Sequence, residues 1–258
     1  MPTISMDEIK AKINLHAVLP VMADLEKLDR THGGKGAGAS RGTLVMAVAG
    51  RPDMAATIHF KGAGIEVLPE RWRRPSLVLE FATPGALNDS FGGGKERPHM
   101  KGLVFGWPLL LKFVKLSKLL GDSLMRDRAP GGAKTRAALM LKVVVHAMEV
   151  LSQCHAEVQA TVKALDGTAQ FGIEPDGPVY HITFEKGKAA AYDSKHSSPK
   201  STITWADSET AVAVLSGKLN PMEAMSKQKM KMVGDPGFAL QVGGIMNKVG
   251  EVLQPTTK

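Results

Sequence analysis

The sequence predicts an α+β fold made of two tandem units, each a mainly antiparallel sheet covered by helices. Three observations lead to this prediction: an internal repeat, the same succession of strand and helix signals in both halves, and short turns between the strand signals. Short turns join neighbouring strands antiparallel, because a parallel pair needs a crossover connection of about a dozen residues or more. Helices that are separate from the strands in sequence pack on one side of such a sheet.

The repeat consists of matching residues at a nearly constant separation. At a separation of 124 residues the pairs are Phe60 and Phe184, Pro75 and Pro199, and Phe81 and Trp205. At a separation of 123 residues the pairs are Gly94-Lys95 and Gly217-Lys218, and Pro98 and Pro221. A period this long indicates tandem domains and not a solenoid, whose repeats are roughly 20–50 residues long. We therefore expect domains at residues 1–130 and 131–258, with a boundary in the Gly-rich loop Ala129–Ala133.

Each half gives the same order of elements. In the second half, apolar or alternating segments predict the strands TAQFGI, VYHITF, KAAAY, STITW and Lys229–Val233. Its predicted helices are Lys134–Leu165, one capped by Ser208 and ending at Leu215, one starting at Asn220-Pro221, and one from Pro236 to about Val249. The first-half strands are TLVMAV, MAATIHF, GIEVL and SLVLEF, and the helices are Ser5–Asp29 with a kink at Pro20, Pro84–Phe91 and Trp107–Leu120.

Composition and charge exclude several classes of protein. The single cysteine, Cys154, excludes an intramolecular disulfide framework, and a 43% hydrophobic content argues against disorder. No long uncharged apolar run predicts a transmembrane helix, and the N-terminus lacks a secretory signal, so we expect a cytoplasmic protein. The net charge of +8 is spread over both halves without a clustered basic face, which disfavours nucleic acid. Solubility, acidic partners and anionic lipid headgroups remain open explanations of this charge.

The sequence shows no catalytic residues, metal site or cofactor motif. His146 and His155 are nine positions apart and lie on opposite faces of a helix, so they cannot share a metal ion. The segment Gly33–Gly38 lacks the Gly-Lys-Ser/Thr ending of a phosphate-binding loop and is interpreted as a linker. Cys154 lies among apolar residues and is interpreted as a core residue, and no Gly-x-Ser-x-Gly nucleophile motif is present.

A specific run of motifs occurs near the end of the second half. Its residues are Gly217, Lys218, Leu219, Pro221, the alternating Lys229-Met230-Lys231-Met232, Gly234, Asp235 and an apolar last helix. This run resembles the sterol carrier protein type 2 family. The first half keeps only Gly94-Lys95 and Pro98, so we interpret it as a divergent tandem copy.

The resemblance implies a five-stranded sheet with an apolar tunnel between sheet and helices in each unit. It further implies non-catalytic binding and transfer of a lipid of the sterol, hopanoid, fatty acyl or isoprenoid quinone type. An alternative is an accessory or scaffold protein that presents a hydrophobic substrate to a partner enzyme complex in quinone or lipid metabolism. An enzyme acting on a bulky apolar substrate is a third hypothesis, which no acid–base pair supports.

The candidate lipid-binding residues are apolar side chains near the predicted lid. They are Phe184, Leu215, Met225, Met230, Met232, Phe238, Leu240, Ile245 and Met246 in the second half, and Trp107, Leu110, Leu111 and Val114 in the first. Methionine suits an adaptable lipid-binding wall because its side chain is unbranched and polarisable, although the same residues could simply fill the core. The helix Trp107–Leu120 could cover a ligand, pack on the other half, or lie on an anionic membrane with Lys112, Lys115 and Lys118 at headgroup level.

Overall fold

The computed structural model describes residues 4–34, 40–126 and 128–253 and divides the chain into two compact units. Unit 1 is Met1–Gly131 and unit 2 is Gly132–Lys258. Each unit contains one five-stranded sheet and its own helices, which confirms the predicted α+β class. Most of the linker predicted at Gly33–Gly38 falls within residues 35–39, outside the described residues.

Unit 1 begins with helices and continues with strands that alternate with two further helices. Its strands are β1 (Arg41–Val48), β2 (Arg51–Lys61), β3 (Ile65–Leu68), β4 (Leu77–Phe81) and β5 (His99–Lys101). Its helices are α1 (Met6–Ile13), α2 (Val21–Thr31), α3 (Pro84–Phe91) and α4 (Leu103–Met125), with a π-helical turn at Asn14–Val18 between the first two. The break in the first helix therefore starts before the predicted kink at Pro20.

Unit 2 has the same succession of elements. Its strands are β6 (Gly167–Ile173), β7 (Val179–Glu185), β8 (Lys188–Tyr192), β9 (Ser201–Trp205) and β10 (Met230–Gly234). Its helices are α5 (Gly132–Cys154), α6 (Ala156–Ala164), α7 (Ser208–Leu215), α8 (Pro221–Ser226) and α9 (Pro236–Leu253). The predicted helix Lys134–Leu165 is divided at His155, whose backbone is extended.

The two sheets have identical topology. The strand order is β3-β2-β1-β4-β5 in unit 1 and β8-β7-β6-β9-β10 in unit 2. The pairs β1–β4 and β6–β9 are parallel, and all other pairs are antiparallel. In each unit, the segment between the third and fourth strands brings the fourth strand beside the first, which is the central strand. The predicted mainly antiparallel arrangement is confirmed.

Local capping chemistry explains where the short helices start. Asn220 accepts a hydrogen bond from the Met222 backbone and Pro221 occupies the first helical position, as predicted. The predicted cap at Ser208 is wrong, because Asp207 is the N-cap and accepts a 2.6 Å hydrogen bond from the Thr210 backbone. A carboxylate is the stronger acceptor at a helix N-terminus, where the helix dipole favours negative charge.

Helix α5 is the central helix of unit 2. It contacts α7, α9, β7 and β8, and its buried residues lie on most sides of the helix. Among the described residues, α5 is one helix that is long and apolar enough to cross a membrane. However, 67% of its apolar 18-residue stretch is buried inside the protein. A helix that is apolar all round is either a core helix or a membrane span, and this degree of burial is typical of a core helix.

Candidate functional site

One face of the unit 2 sheet is apolar and covered by α9; we call it the inner face. The Phe184 ring on β7 meets the Phe238 ring on α9 edge to face, with centroids 6.0 Å apart, so α9 covers the side to which Phe184 points. Strand register places further residues on the same side. They are Ala169, Phe171 and Ile173 on β6, Ile182 on β7, Ser201, Ile203 and Trp205 on β9, and Met230 and Met232 on β10.

Large aromatic side chains form the centre of the inner face. Phe171, Phe184 and Trp205 are all fully buried, and the Phe171 and Trp205 rings stack with centroids 6.5 Å apart. Met230 lies opposite Trp205 in the register and is also buried. The face therefore offers flat, polarisable surfaces together with a flexible thioether, which can adapt to an apolar molecule.

Two buried polar atoms on the inner face have no hydrogen-bond partner among the residues that the structure describes. They are the Ser201 hydroxyl and the Trp205 indole Nε1, on residues that are 1% and 0% exposed. Side chains alternate between the two faces of a strand, so residues four positions apart, such as Ser201 and Trp205, share a face. Both atoms therefore lie on the side covered by α9. Leaving a buried polar group unpaired costs about 1–3 kcal/mol, which stability alone does not favour.

A surface cleft of about 220 Å³ lies beside the Ser201 end of β9. It is formed by the end of α6, the start of α9 and Lys200, and Leu165 and Phe238 give it an apolar part. The Lys200 ammonium lies 5.0 Å from the Phe238 ring centroid and 3.8 Å from the Asp235 carboxylate. It also donates to the Asp166 carbonyl at 3.2 Å. Phe238, which packs against Phe184 of the inner face, forms part of the cleft wall.

The charges at the cleft favour a neutral polar group over an anion. Lys200 is the one cation among the residues that line the cleft, and Asp166 and Asp235 both line it. The Asp235 carboxylate caps α9 by accepting from the Phe238 backbone, which lowers the pKa of Asp235 below its usual value and keeps it ionised. A hydroxyl or carbonyl group would meet this mixture of donors and acceptors without adding a negative charge.

Most second-half residues predicted to bind lipid lie inside unit 2. Phe184, Met230, Phe238, Ile245 and Met246 are buried, whereas Leu215, Met225 and Met232 are half-buried. Leu240 does not line the interior, because it is 65% exposed. At about 100° per residue it lies some 200° around α9 from the buried Phe238, and thus on the outer side. Ser201 and Trp205 were not predicted, although the alternation in STITW places both beside Ile203.

The first-half residues predicted to bind lipid are mostly on the surface. Trp107, Leu111 and Val114 on α4 are 51%, 54% and 55% exposed, and Leu110 is half-buried. These three side chains therefore lie on the outer side of α4, and their part in binding lipid stays a prediction. The core-facing side of α4 is formed instead by Leu109, Phe113, Leu116 and Leu120.

Of the two histidines considered as metal ligands, His146 has another partner, because its Nε2 lies 2.8 Å from the Asp193 carboxylate. The buried Nδ1 of His155 has no hydrogen-bond partner among the described residues. In the described ranges, no group of three or more His, Cys, Asp or Glu side chains could hold a metal ion. Cys154 is buried and its thiol donates to the Val150 carbonyl, as befits a core residue.

Comparison with protein families distinguishes the two units. Residues 148–247 match one family model, and this range contains the inner face and the cleft. The family that this model describes is the SCP-2 sterol transfer family. The match lies wholly within unit 2 and confirms the predicted resemblance of the second half to SCP-2 proteins. That unit 1 is a divergent SCP-2 copy stays a prediction.

Individual SCP-2 relatives cover a similar part of the chain. Human sterol carrier protein 2 is 27% identical over 107 residues, which are 40% of this chain and 19% of that protein. The chain thus spans about a fifth of the curated relatives that it matches. The sterol carrier protein domain 2 of Helicoverpa armigera is 22% identical, covering 45% of this chain and 92% of that chain with a TM-score of 0.36. Sterol carrier protein 2 of Aedes aegypti, described in complex with palmitate, is 17% identical, covering 35% and 88% with a TM-score of 0.26.

Proposed function

We propose that unit 2 binds an apolar lipid between the inner face and α9 and transfers it without chemical change. The observation that carries this proposal is the pair of buried, unpartnered polar atoms, Ser201 Oγ and Trp205 Nε1, on an otherwise apolar face. Both residues lie inside the range that matches the SCP-2 sterol transfer family. A lipid with one polar group would pair with the Ser201 hydroxyl and bury its apolar body against the aromatic rings.

The polar group of the lipid is neutral in this proposal. The two aspartates at the cleft disfavour a carboxylate, whereas a sterol or hopanoid hydroxyl, or a quinone carbonyl, adds no charge. Palmitate is the ligand named for the Aedes aegypti protein, and here it serves as a fatty acid probe for comparison. We expect a hydroxylated sterol to bind more tightly than palmitate at neutral pH.

Helix α9 acts as the lid. The cleft of about 220 Å³ is smaller than the roughly 300–1,000 Å³ of typical small-molecule pockets, so α9 must move to admit a lipid. Gly243, Gly244 and Gly250 lie within α9, and a methyl group at any of them would meet open space. Packing therefore does not require glycine there, and each one weakens the helix by up to about 1 kcal/mol relative to alanine. A marginally stable helix is well suited to opening.

The substitution Ser201→Ala tests the binding site. It removes an unpaired buried hydroxyl, so the free energy of unfolding should stay level or rise by up to about 1 kcal/mol. Affinity for dehydroergosterol, a fluorescent sterol, should fall about fivefold or more through the lost hydrogen bond. Fluorescence titration of the full chain measures affinity, and urea unfolding measures stability. Ser197→Ala, at an exposed serine of the same unit, should change neither quantity.

Two outcomes would contradict the proposal. Unchanged sterol affinity in Ser201→Ala would show that the hydroxyl does not contact the ligand. Failure of the full chain to bind sterol, hopanoid, fatty acid and quinone probes alike would rule out lipid carriage. A presenting or scaffold role for an enzyme complex would then be the next candidate.

A further inference from the structure

Helix α4 of unit 1 exposes a continuous row of apolar side chains. The row consists of Val104, Trp107, Leu111 and Val114, and we call it the α4 stripe. Their exposed fractions are 86%, 51%, 54% and 55%. Spacings of three and four residues place all four on one side of the helix. With a rise of 1.5 Å per residue, the stripe is about 15 Å long.

The core of unit 1 does not require the α4 stripe. The opposite side of the helix is buried through Leu109, Phe113, Leu116 and Leu120, which are between 1% and 9% exposed. This side carries the contacts of α4 with α2, β1 and β4. A helix needs one apolar side to pack on a sheet, so a second apolar side is expected to have a partner outside the unit.

Lysine side chains occupy the same side of α4 nearer the C-terminus of the helix. Lys115 and Lys118 are exposed, and Lys112 is half-buried at the flank. None of the three has an acidic partner among the described residues, whereas further along the helix Asp122 is paired with Arg126. The exposed side therefore has an apolar half with an indole ring and a cationic half.

We propose that the α4 stripe docks on an anionic bilayer surface. Val104, Leu111 and Val114 enter the boundary between headgroups and acyl chains, and the Trp107 indole lies at headgroup level. Lys115 and Lys118 contact lipid phosphates. An anionic bilayer supplies both an apolar phase and negative charge, whereas a second copy of this face would add lysines to lysines in a chain of net charge +8. Docking would place unit 1 on the membrane that supplies or receives the lipid of unit 2.

Binding of the full chain to vesicles tests the proposal. The probes are vesicles of phosphatidylcholine alone and of phosphatidylcholine with one quarter phosphatidylglycerol, assayed by flotation and by tryptophan fluorescence. We expect stronger binding to the anionic vesicles, weakened when salt is raised from 50 to 500 mM. Leu111→Gln should lower the partition coefficient about tenfold through lost apolar burial. Lys115→Gln with Lys118→Gln should lower it about fivefold per lysine on anionic vesicles only.

Matched variants in unit 2 provide the controls. Val233→Gln replaces an apolar side chain that is 67% exposed, and Lys188→Gln with Lys195→Gln removes two exposed charges. Both should bind vesicles as the parent chain does. Equal partition of parent and Leu111→Gln would overturn the proposal, as would a Leu111-dependent dimer that does not bind vesicles. Sterol titration of Leu111→Gln in solution should be unchanged, so failure of membrane docking is distinguishable from failure of the lipid site in unit 2.

Discussion

Units 1 and 2 share a backbone plan but use their last helices differently. Both sheets have the same strand order. In both, a glycine at the end of the fifth strand lies against the residue that precedes the fourth strand. A methyl group on Gly102 would lie 2.4 Å from the Ser76 carbonyl oxygen, and one on Gly234 would lie 2.3 Å from the Lys200 carbonyl oxygen. Both glycines have positive φ, at 82° and 104°. The close approach of the strands therefore constrains the same position twice.

The last helices differ in which side chains they expose. Helix α9 buries Phe238, Ile245 and Met246, and Leu240 is its one strongly exposed large apolar residue. Helix α4 buries one apolar side and exposes a second, the α4 stripe. In these two units the fold fixes the backbone at a few close contacts and leaves the helix surfaces free to diverge. Sequence similarity to the SCP-2 family correspondingly lies in unit 2.

The largest expected effect comes from substitution of the two equivalent glycines. Gly102→Ala and Gly234→Ala each create a backbone clash at positive φ, so each should destabilise its own unit by about 2–3 kcal/mol. Urea unfolding measures the loss, and hydrogen exchange with mass spectrometry assigns it to a unit. Gly50→Ala is the control, because it has φ of 69° but nothing within 4 Å, and should cost less. A small effect at one site only would break the equivalence of the two units.

An intermediate effect is expected at the caps of α3 and α7. Thr83 accepts from the Ala86 backbone and Asp207 from the Thr210 backbone, at matching places after the fourth strand of each unit. Thr83→Ala and Asp207→Ala should each cost about 1 kcal/mol in urea unfolding, with the larger loss at Asp207 because its charge also favours the helix dipole. Ser208→Ala, next to the true cap, should change stability by less than about 0.5 kcal/mol. A larger loss at Ser208 than at Asp207 would reverse the cap assignment.

The sequence predicted the fold well because the fold is encoded locally. Period-two alternation and the Asn220-Pro221 signal for a helix N-terminus both depend on a few neighbouring residues. Signals of this kind predicted nine of the ten described strands, and the short helices, in the right order. Strand β5 was missed in unit 1, because its three residues are all exposed and show no alternation. The break at His155 was missed since apolar residues continue on both sides of it.

The candidate site was less predictable because it depends on which side of each element is covered. In α4, apolar residues occupy both sides, and only the packing on β1 and β4 shows that Trp107 and Leu111 face outward. The position of Ser201 on the inner face follows from strand alternation. Its unpaired hydroxyl does not, because satisfaction of a hydroxyl depends on neighbours from α9 and β10 that are distant in sequence.

The smallest expected effect concerns an aspartate that ties the leading helix to the sheet in each unit. Asp53 lies 2.8 Å from Lys12 of α1, and Asp193 lies 2.6 Å from Lys142 of α5. At Asp53, burial raises the pKa but is outweighed by Lys12 and Arg51, which lower it to about 2. At Asp193, the hydrogen bond with His146 lowers the pKa most, and with Lys142 it outweighs burial, giving about 2.

Both aspartates should therefore make stability depend on pH at the acid end. Since the folded pKa lies below the unfolded value of 3.8, the contribution is complete above about pH 4 and is lost as pH falls through 2. The carboxylates are nearly half exposed, so Asp53→Asn and Asp193→Asn should each cost only about 0.5–1 kcal/mol at pH 7. Urea unfolding from pH 7 to pH 2 should show this difference shrinking towards zero. If the difference in unfolding free energy between parent and variant persists at pH 2 in one unit, the aspartate of that unit acts through shape and hydrogen bonding and not through its charge. The two aspartates would then stabilise their units by different interactions.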